Sequence, residues 1–352
     1  MKTVVVGLSG GVDSSVSAFL LKKQGYKVIG LHMRGENVET REEDEQRVRT
    51  LCDILGIDCK VVDYKDHMKI VKDYFVKEYL EGRTPNPCVI CNREVKFKPF
   101  LDYMEELGAD YFATGHYAQV VHEGDNHFLK KAVDTNKDQS YFLCQLSKKQ
   151  LSKVLFPLGS LTKEEVKNIA QENNLVTSGT KESYDVCFLG SQKFKDFMDK
   201  NYPEKRGNIV DEKTDTVVGK HTGISKYTIG QRRGLNIGGK NGYEANRWFV
   251  VKKDVKSNTL YVSCGESDEM FSSACLVTEF NWITDMPTCE IDALAKLRYR
   301  QPDQETRVEI VDEHTVKLTF KTKQKAVTVG QFAVLYTEDG VCLGGGKIST
   351  VL

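Results

Sequence analysis

The stretch that most constrains this 352-residue chain is Gly7-Leu8-Ser9-Gly10-Gly11-Val12-Asp13-Ser14-Ser15. Ahead of it, Thr3 to Val6 is a β-branched run of the kind buried on both faces of a parallel sheet. Behind it, Val16, Phe19 and Leu20 fall at helical spacing until Gly25, which predicts a helix from about Asp13. Strand, glycine turn and helix together make an anion cradle. Glycines let the backbone turn tightly and bring bare N–H groups close to a ligand, and the helix dipole favours negative charge there. Ser9, Ser14 and Ser15 add hydroxyl donors.

The kind of phosphate loop matters more. A Walker loop ends in Gly-Lys-Ser/Thr, and no Lys stands between Lys2 and Lys22, so γ-phosphoryl transfer is disfavoured. The dinucleotide pattern G-x-G-x-x-G is absent from the turn as well. The run Ser9-Gly-Gly-Val-Asp-Ser14 resembles the PP-loop of enzymes that cut ATP between the α- and β-phosphates and adenylate a substrate.

Lys plus Arg equal Asp plus Glu at 50 each, so bulk charge offers nucleic acid nothing and any such surface must be a local patch. No apolar run approaches membrane-spanning length, and the N-terminus reads as the first strand rather than a signal peptide. Ten Cys in a chain this long are no disulfide scaffold. With a nucleotide loop they point to thiol chemistry in a reducing cytoplasm.

Along the chain, Lys27 to Met33 reads as a second strand, with Met33 at the carboxyl edge where nucleotides bind in open α/β sheets. Glu36 to Glu45 reads as an acidic loop, followed by a helix marked by Val48, Leu51, Cys52 and Leu55 and stopped by Gly56. Cys59 to Val62 is a third strand, Val71, Phe75 and Tyr79 mark a helix, Leu101 to Leu107 another, and Tyr111 to Thr114 a strand leading into Gly115-His116. This alternation predicts a doubly wound parallel sheet. His116 fits either a ligand-edge role or a capping histidine. Tyr117 to Ala132 alternates like a hairpin, Asp134 to Ser140 is a polar loop, and Thr162 to Glu165 is a capping box for a helix running to Asn173. A short helix around Phe194 to Met198 closes an expected first domain, 1–200. From 201 the pattern turns β-rich, with strands expected at Tyr227 to Ile229, Trp248 to Val251, Leu260 to Val262, Lys296 to Tyr299, Val308 to Ile310, Val316 to Phe320 and Ala333 to Tyr336. Two small barrels or sheets, 201–270 and 271–352, are expected.

The second dense signal is Gly82-Arg-Thr-Pro-Asn-Pro-Cys88-Val-Ile-Cys91-Asn. Pro85 and Pro87 argue against regular helix and predict a fixed loop presenting both thiols. A structural zinc site wants a second close Cys pair, and none follows; a thioredoxin-like centre would lack the flanking prolines. Cys187, in Lys181-Glu-Ser-Tyr-Asp-Val-Cys-Phe-Leu-Gly190, fits a buried small hydrophobe or a nucleophile on a loop. The other seven Cys sit in apolar contexts and read as packing. Lys317, Lys321, Lys323 and Lys325 share one strand face, which fits either a tRNA-backbone track or a solvated edge kept basic against aggregation. Arg232-Arg233 is a second candidate for phosphate contacts.

The phosphate loop, Gly82-Arg-Thr-Pro-Asn-Pro with Cys91-Asn, Thr114-Gly-His-Tyr117, Lys137-Asp-Gln-Ser-Tyr-Phe142, Cys187-Phe-Leu-Gly190 and Tyr227-Thr-Ile-Gly-Gln-Arg-Arg-Gly234 together resemble the tRNA-uridine 2-sulfurtransferases, the MnmA/TrmU family. The resemblance runs from residue 4 to about 350. It implies a PP-loop domain, a small central domain and a C-terminal β-barrel that binds tRNA, in a monomeric cytoplasmic enzyme with no membrane partner. The implied reaction is ATP- and Mg2+-dependent replacement of the C2 oxygen of the tRNA wobble uridine, U34, by sulfur. Gly7, Leu8, Ser9, Gly10, Gly11, Val12, Asp13 and Ser14 would hold the phosphates, and Met33 and Gly115 the adenine and ribose side. Cys187 would carry a persulfide delivered by a cysteine desulfurase or sulfur-relay protein. Cys91 would release its terminal sulfur, ending in a Cys91 to Cys187 disulfide, with the thiolate favoured by neighbouring cations or a helix dipole. Asn86, Pro87, Cys88, His116, Lys137, Asp138, Gln139, Arg298, Tyr299 and Gln331 would touch tRNA. Where relatives can have Asp, this chain has Cys88. Cys88, Cys91 and Cys187 could then ligate a [4Fe–4S] cluster, so the persulfide and cluster routes both stay open. A PP-loop amide ligase would not need the two thiols, and a non-catalytic iron–sulfur or RNA-binding protein would not need the ATP loop.

Overall fold

The computed structural model describes residues 1–34, 38–63, 65–175, 186–189, 192–237 and 247–352, with backbone only at 38–41, 65 and 66. The first strand, β1 (Thr3–Leu8), sits between β2 (Lys27–Arg34) and β4 (Tyr111–Ala113) in a five-stranded sheet of order β3-β2-β1-β4-β7, with β3 at Asp58–Asp63 and β7 at Val154–Leu155. All four pairings are parallel. Val4, Val5 and Val6 are fully buried, Val5 in the core under one face and Val4 and Val6 in the core under the other. That is why this strand reads as an unbroken apolar run rather than an alternating one. Each of these valines contributes about 1.5–3 kcal/mol by burial.

The helices are α1 (Val12–Lys23), α2 (Val38–Leu55), α3 (Lys65–Leu80), α4 (Pro87–Ile90), α5 (Lys98–Glu106), α6 (Lys148–Leu151), α7 (Lys163–Glu172) and α8 (Phe194–Asn201). At α7 the capping box forms as its sequence predicts: Thr162 Oγ1 accepts from the Glu165 N–H, and Glu165 Oε2 accepts from the Thr162 N–H at 2.7 Å. Two local expectations fail. Residues 38–45 belong to α2, not to an acidic loop: carboxylates suit the start of a helix, and Glu45 is tied to both Arg34 and Arg49. Glu36 lies outside the described residues. The prolines, meanwhile, do not exclude helix at the C-x-x-C pair. Pro87 is the first residue of α4, where its missing N–H has no intrahelical partner to lose, and the chain continues as a π-helical stretch, Cys91–Phe97.

The hairpin β5 (Ala118–Glu123) and β6 (Asn126–Lys131) follows β4, and beyond α8 the described elements are strands with two short 3₁₀ turns. The strands β8 (Gly207–Asp211), β9 (Thr216–His221), β10 (Trp248–Asp254) and β11 (Thr259–Cys264) form one sheet of order β10-β11-β8-β9. A closed six-stranded barrel follows: β12 (Phe271–Trp282), β13 (Ile291–Lys296), β14 (Gln304–Asp312), β15 (Thr315–Lys325), β16 (Phe332–Tyr336) and β17 (Cys342–Val351), ordered β12-β15-β14-β13-β16-β17. Closure removes free strand edges. Two expected strands are absent. At Tyr227 to Ile229 the chain leaves a 3₁₀ turn and makes single bonds to β10, Gly230 N–H donating to the Val250 carbonyl at 2.8 Å. At Lys296 to Tyr299, β13 stops at Lys296 because Gln301 folds back and its Oε1 takes the Leu297 N–H at 3.0 Å.

The barrel's outer wall seals the first domain's core. Phe332, Val334, Tyr336 and Cys342 pack in the same cluster as Tyr141, Leu143 and Cys91. Polar groups trapped there are paired across the boundary: Tyr141 Oη donates to the Phe332 carbonyl at 2.9 Å, Gln145 Nε2 to the Gly345 carbonyl at 2.6 Å, and Asn281 Nδ2 to the Cys144 and Leu146 carbonyls. Replacing Tyr141 by Phe strips a fully buried carbonyl of its donor and should lower the free energy of unfolding by about 1–2 kcal/mol in urea titration.

Candidate functional site

The phosphate loop is held open by its own hydroxyls. Ser14 Oγ donates to the Gly11 carbonyl at 3.1 Å and accepts the Ser9 N–H at 3.2 Å, while Ser15 Oγ donates to the same Gly11 carbonyl at 2.9 Å. Gly10 has φ +77°, a left-handed turn suited to glycine. Gly11 caps α1 without any side-chain hydrogen bond, so the first-turn N–H groups of Val12, Asp13 and Ser14 have no side-chain cap and face an anion's place. Asp13 turns its carboxylate to the protein: Oδ1 accepts from Lys163 Nζ at 2.6 Å and from Tyr117 Oη at 2.9 Å.

Gly115 lies against the same turn. A β-carbon there would stand 2.9 Å from the Asp13 carbonyl carbon and the Ser14 nitrogen, so β4's end touches the loop through bare backbone. Gly7 packs beneath it on Phe112 and Phe100, and Leu8 is buried. Met33 is half-buried, packed on the core that holds Cys91. His32 beside it is buried, with Nδ1 2.8 Å from the Leu8 carbonyl; an isolated His in an apolar strand gave no sign of this in the sequence.

From Gly115 the site runs to the thiols. His116 is half-buried, Nδ1 2.6 Å from Thr114 Oγ1, with its ring 5.9 Å from Phe97 and 6.0 Å from Phe156. Burial pushes its imidazole well below the usual range, and the Lys96 charge pushes the same way, so His116 is neutral at pH 7. Lys96 also acts on Cys88 and Cys91, favouring both thiolates. It was not singled out from the sequence. Only the π-helical turn puts it among these three groups.

Cys91 is buried, and Cys88 is reached by water. Burial dominates both: it raises the Cys88 thiol, and it pushes Cys91 up to about 11 against the opposing pull of Lys96. The expected depression of the Cys91 thiol is therefore absent, because loss of hydration outweighs one neighbouring cation. Cys187 is exposed at the start of a 3₁₀ turn, Cys187–Leu189. Its charge raises both Cys88 and Cys91, so the structure brings all three sulfurs within electrostatic reach. The turn is docked by Phe188, whose ring meets Phe75 of α3 edge-on at 5.2 Å. Segments 176–185 and 190–191 beside it lie outside the described residues.

The other expected contacts divide by exposure. Asn86 and Pro87 are buried at the start of α4. Gln331 spends its amide on the carbonyls of Thr84 and Pro85, both at 3.1 Å, and so fastens the barrel to the C-x-x-C approach. Asp138 is buried, accepting from the Ala132 N–H and from the Ser140 N–H and hydroxyl, and Gln139 Oε1 takes the Tyr117 N–H at 3.0 Å. Asp138, Gln139 and Gln331 thus hold backbone groups in this structure, as short polar runs in tight turns do. Lys137 is half-buried, Tyr299 stacks on Phe142 at 4.3 Å, and Arg298 is exposed beside a cavity of 130 Å³ lined by Thr84, Ile229 and Gln331. The lysine face is compensated by acids, with Lys317 paired to Glu309, Lys321 to Glu305 and Lys325 to Glu266; β15 pairs with β12 and β14 in the closed barrel, so this face is solvated but is no sheet edge. Arg232 and Arg233 are exposed on a turn held by Gln231.

Residues 2–191 match the family described as tRNA methyl transferase HUP domain, 195–264 the tRNA methyl transferase PRC-barrel domain, and 272–348 the aminomethyltransferase β-barrel domain. The chain is 46% identical to a tRNA-specific 2-thiouridylase MnmA of Alkaliphilus oremlandii, across 99% of this chain and 97% of that one. It belongs to the MnmA family of tRNA-uridine 2-sulfurtransferases. The family's MnmA of Streptococcus agalactiae is 48% identical across 98% and 94% of the two chains. A solved U34-tRNA thiolase NcsA of Methanococcus maripaludis, containing a [4Fe–4S] cluster, is similar at TM-score 0.36 and 22% identity over 57% of this chain and 67% of that one, too distant to bear on this site.

Among the described residues no three Cys, His, Asp or Glu side chains are grouped to hold a metal ion. One thiol is buried, two are open to water, and the cation Lys96 acts on the first two. Alkylation of the free protein by iodoacetamide should mark Cys187 well before Cys91, and Cys91 should react about tenfold faster per pH unit up to about pH 11. Lys96→Met should slow Cys91 further, about threefold at pH 8. Peptide mass spectrometry reads all three rates.

Proposed function

We propose that the chain catalyses ATP-dependent 2-thiolation of the wobble uridine, U34, of tRNA, with residues 1–200 performing the chemistry and 201–270 and 271–352 gripping the RNA. The observation that carries this reading is continuity. The uncapped turn at Gly11 touches Gly115, Gly115 precedes His116, and Lys96 links His116 to Cys88 and Cys91, which in turn feel Cys187. This chain of contacts supports a reading in which nucleotide and sulfur work in one site.

A uridine C2 carbonyl is a poor electrophile and hydroxide a bad leaving group. Attack of the C2 oxygen on the α-phosphorus of ATP expels pyrophosphate and leaves an adenylated carbon whose leaving group is AMP. Magnesium enters as the counter-ion of the ATP triphosphate, a substrate ion; Asp13, the carboxylate at the loop, is already taken by Lys163 and Tyr117. Cys187, the exposed thiol, accepts a persulfide from a cysteine desulfurase or relay protein. Its terminal sulfur attacks C2 and AMP departs. Cys91 then attacks Cys187 Sγ, breaking the sulfur–sulfur bond; the electron pair stays on the sulfur at C2, giving 2-thiouridine and a Cys91 to Cys187 disulfide that a thiol reductant reopens. Burial that keeps Cys91 protonated in the free protein guards the site against idle oxidation.

Nucleoside mass spectrometry of tRNA from cells lacking the gene, complemented with variants, tests the assignment. Cys91→Ser and Cys187→Ser should abolish 2-thiouridine, and Cys88→Ala should retain at least about a third of it. Undiminished 2-thiouridine in the deletion strain removes the function. Anaerobically purified, active protein should carry no stoichiometric iron; a loss of iron and activity together in Cys88→Ala would replace the persulfide route by the cluster.

A further inference from the structure

Cutting ATP between the α- and β-phosphates releases pyrophosphate, whose developing charge a Walker loop would meet with its lysine. This loop has none, and Lys163, the nearest lysine along α7, is committed to Asp13. The structure brings a different cation to the loop. Helix α2 lies across Gly10: a β-carbon built there would be 3.6 Å from the Asp44 carbonyl oxygen and Val48 Cγ2, and 3.7 Å from Arg47 Cβ. Arg47 pairs one guanidinium arm with Asp44, on the same helix face three residues back. Although 35% of the Arg47 side chain is exposed, its Nε is closed off from water and has no hydrogen-bond partner among the described residues. A buried, unanswered donor on a cation is costly unless an anion completes it, and guanidinium suits phosphate through paired N–H donors. Arg34, the other arginine near this edge, is paired with Glu45.

We infer that Arg47 is the cationic clamp for the β- and γ-phosphates, holding the pyrophosphate as it leaves, with Asp44 orienting the guanidinium. This rests on the adenylation proposed above. In that step the C2 oxygen bonds to the α-phosphorus, the α–β bridging P–O bond breaks, and the electron pair goes to pyrophosphate, where Arg47 answers the added charge. AMP, which lacks those phosphates, gains nothing from it. Helix α2, read from the sequence as partly a loop, thereby becomes a wall of the nucleotide site.

The test is calorimetric binding of ATP, AMP and pyrophosphate, each with magnesium, to the full-length wild type, Arg47→Met and Arg47→Lys. Arg47→Met should weaken ATP and pyrophosphate about tenfold or more while leaving AMP within about twofold, and Arg47→Lys should recover part of the loss. An unchanged melting temperature for Arg47→Met separates the effect from unfolding; if that variant fails to fold, Arg47→Lys alone carries the comparison, with pyrophosphate weakened and AMP not. Equal affinities for pyrophosphate in wild type and both variants overturn the clamp, as does an equal loss for AMP. Should the wild type bind neither ATP nor pyrophosphate, the adenylation reading itself fails, a result the variants cannot mimic.

Discussion

The site depends on one close approach, the contact of Gly115 with the first turn of α1. Backbone meets backbone there at a distance that no β-carbon could share. That contact fixes where β4 ends relative to the phosphate loop, and hence where His116, the next residue, can stand. It also sets the direction of the chain into Tyr117, whose hydroxyl returns to Asp13. The loop is therefore shaped from outside as well as by its own serines. A phosphate cradle made only of turn residues would be free to relax; this one is clamped between two strand ends and a helix.

A second constraint is the conflict between burial and reactivity at sulfur. Cys91 belongs to the largest apolar cluster of the chain, alongside Phe97, Phe112 and Tyr141, and desolvation there outweighs the help of Lys96. Cys187 escapes this by standing on an exposed turn anchored through its neighbour Phe188 rather than through itself. The two thiols are thus kept in opposite environments, one sheltered and one open, by where their neighbours pack.

The barrel acts on this site without entering it. Gln331 holds the carbonyls of Thr84 and Pro85, Thr84 N–H bonds the Val329 carbonyl at 3.0 Å, and Gly330 leaves room for Thr84 to approach. The approach to α4 is consequently fixed by the C-terminal domain, more than 240 residues away in sequence, in addition to its own two prolines. RNA bound across the barrel would have a rigid route to the C-x-x-C helix.

Patterns that repeat within a few residues were legible in the sequence: the buried run of β1, the glycine turn, the capping box at Thr162 and the change to β-rich texture after 201. Each is set by local backbone preference and by which faces are covered. Helix α2 and the helical start at Pro87 were misread because acidic residues and prolines suit helix beginnings as well as loops. What only the tertiary structure decided is which distant groups meet: Lys96 among Cys88, Cys91 and His116, Cys187 within reach of both thiols, Gln331 on Thr84, Arg47 over Gly10. The reason is that residue types declare what chemistry a chain can do, whereas desolvation and proximity, which set that chemistry's strength, come into being only when elements far apart in sequence pack together.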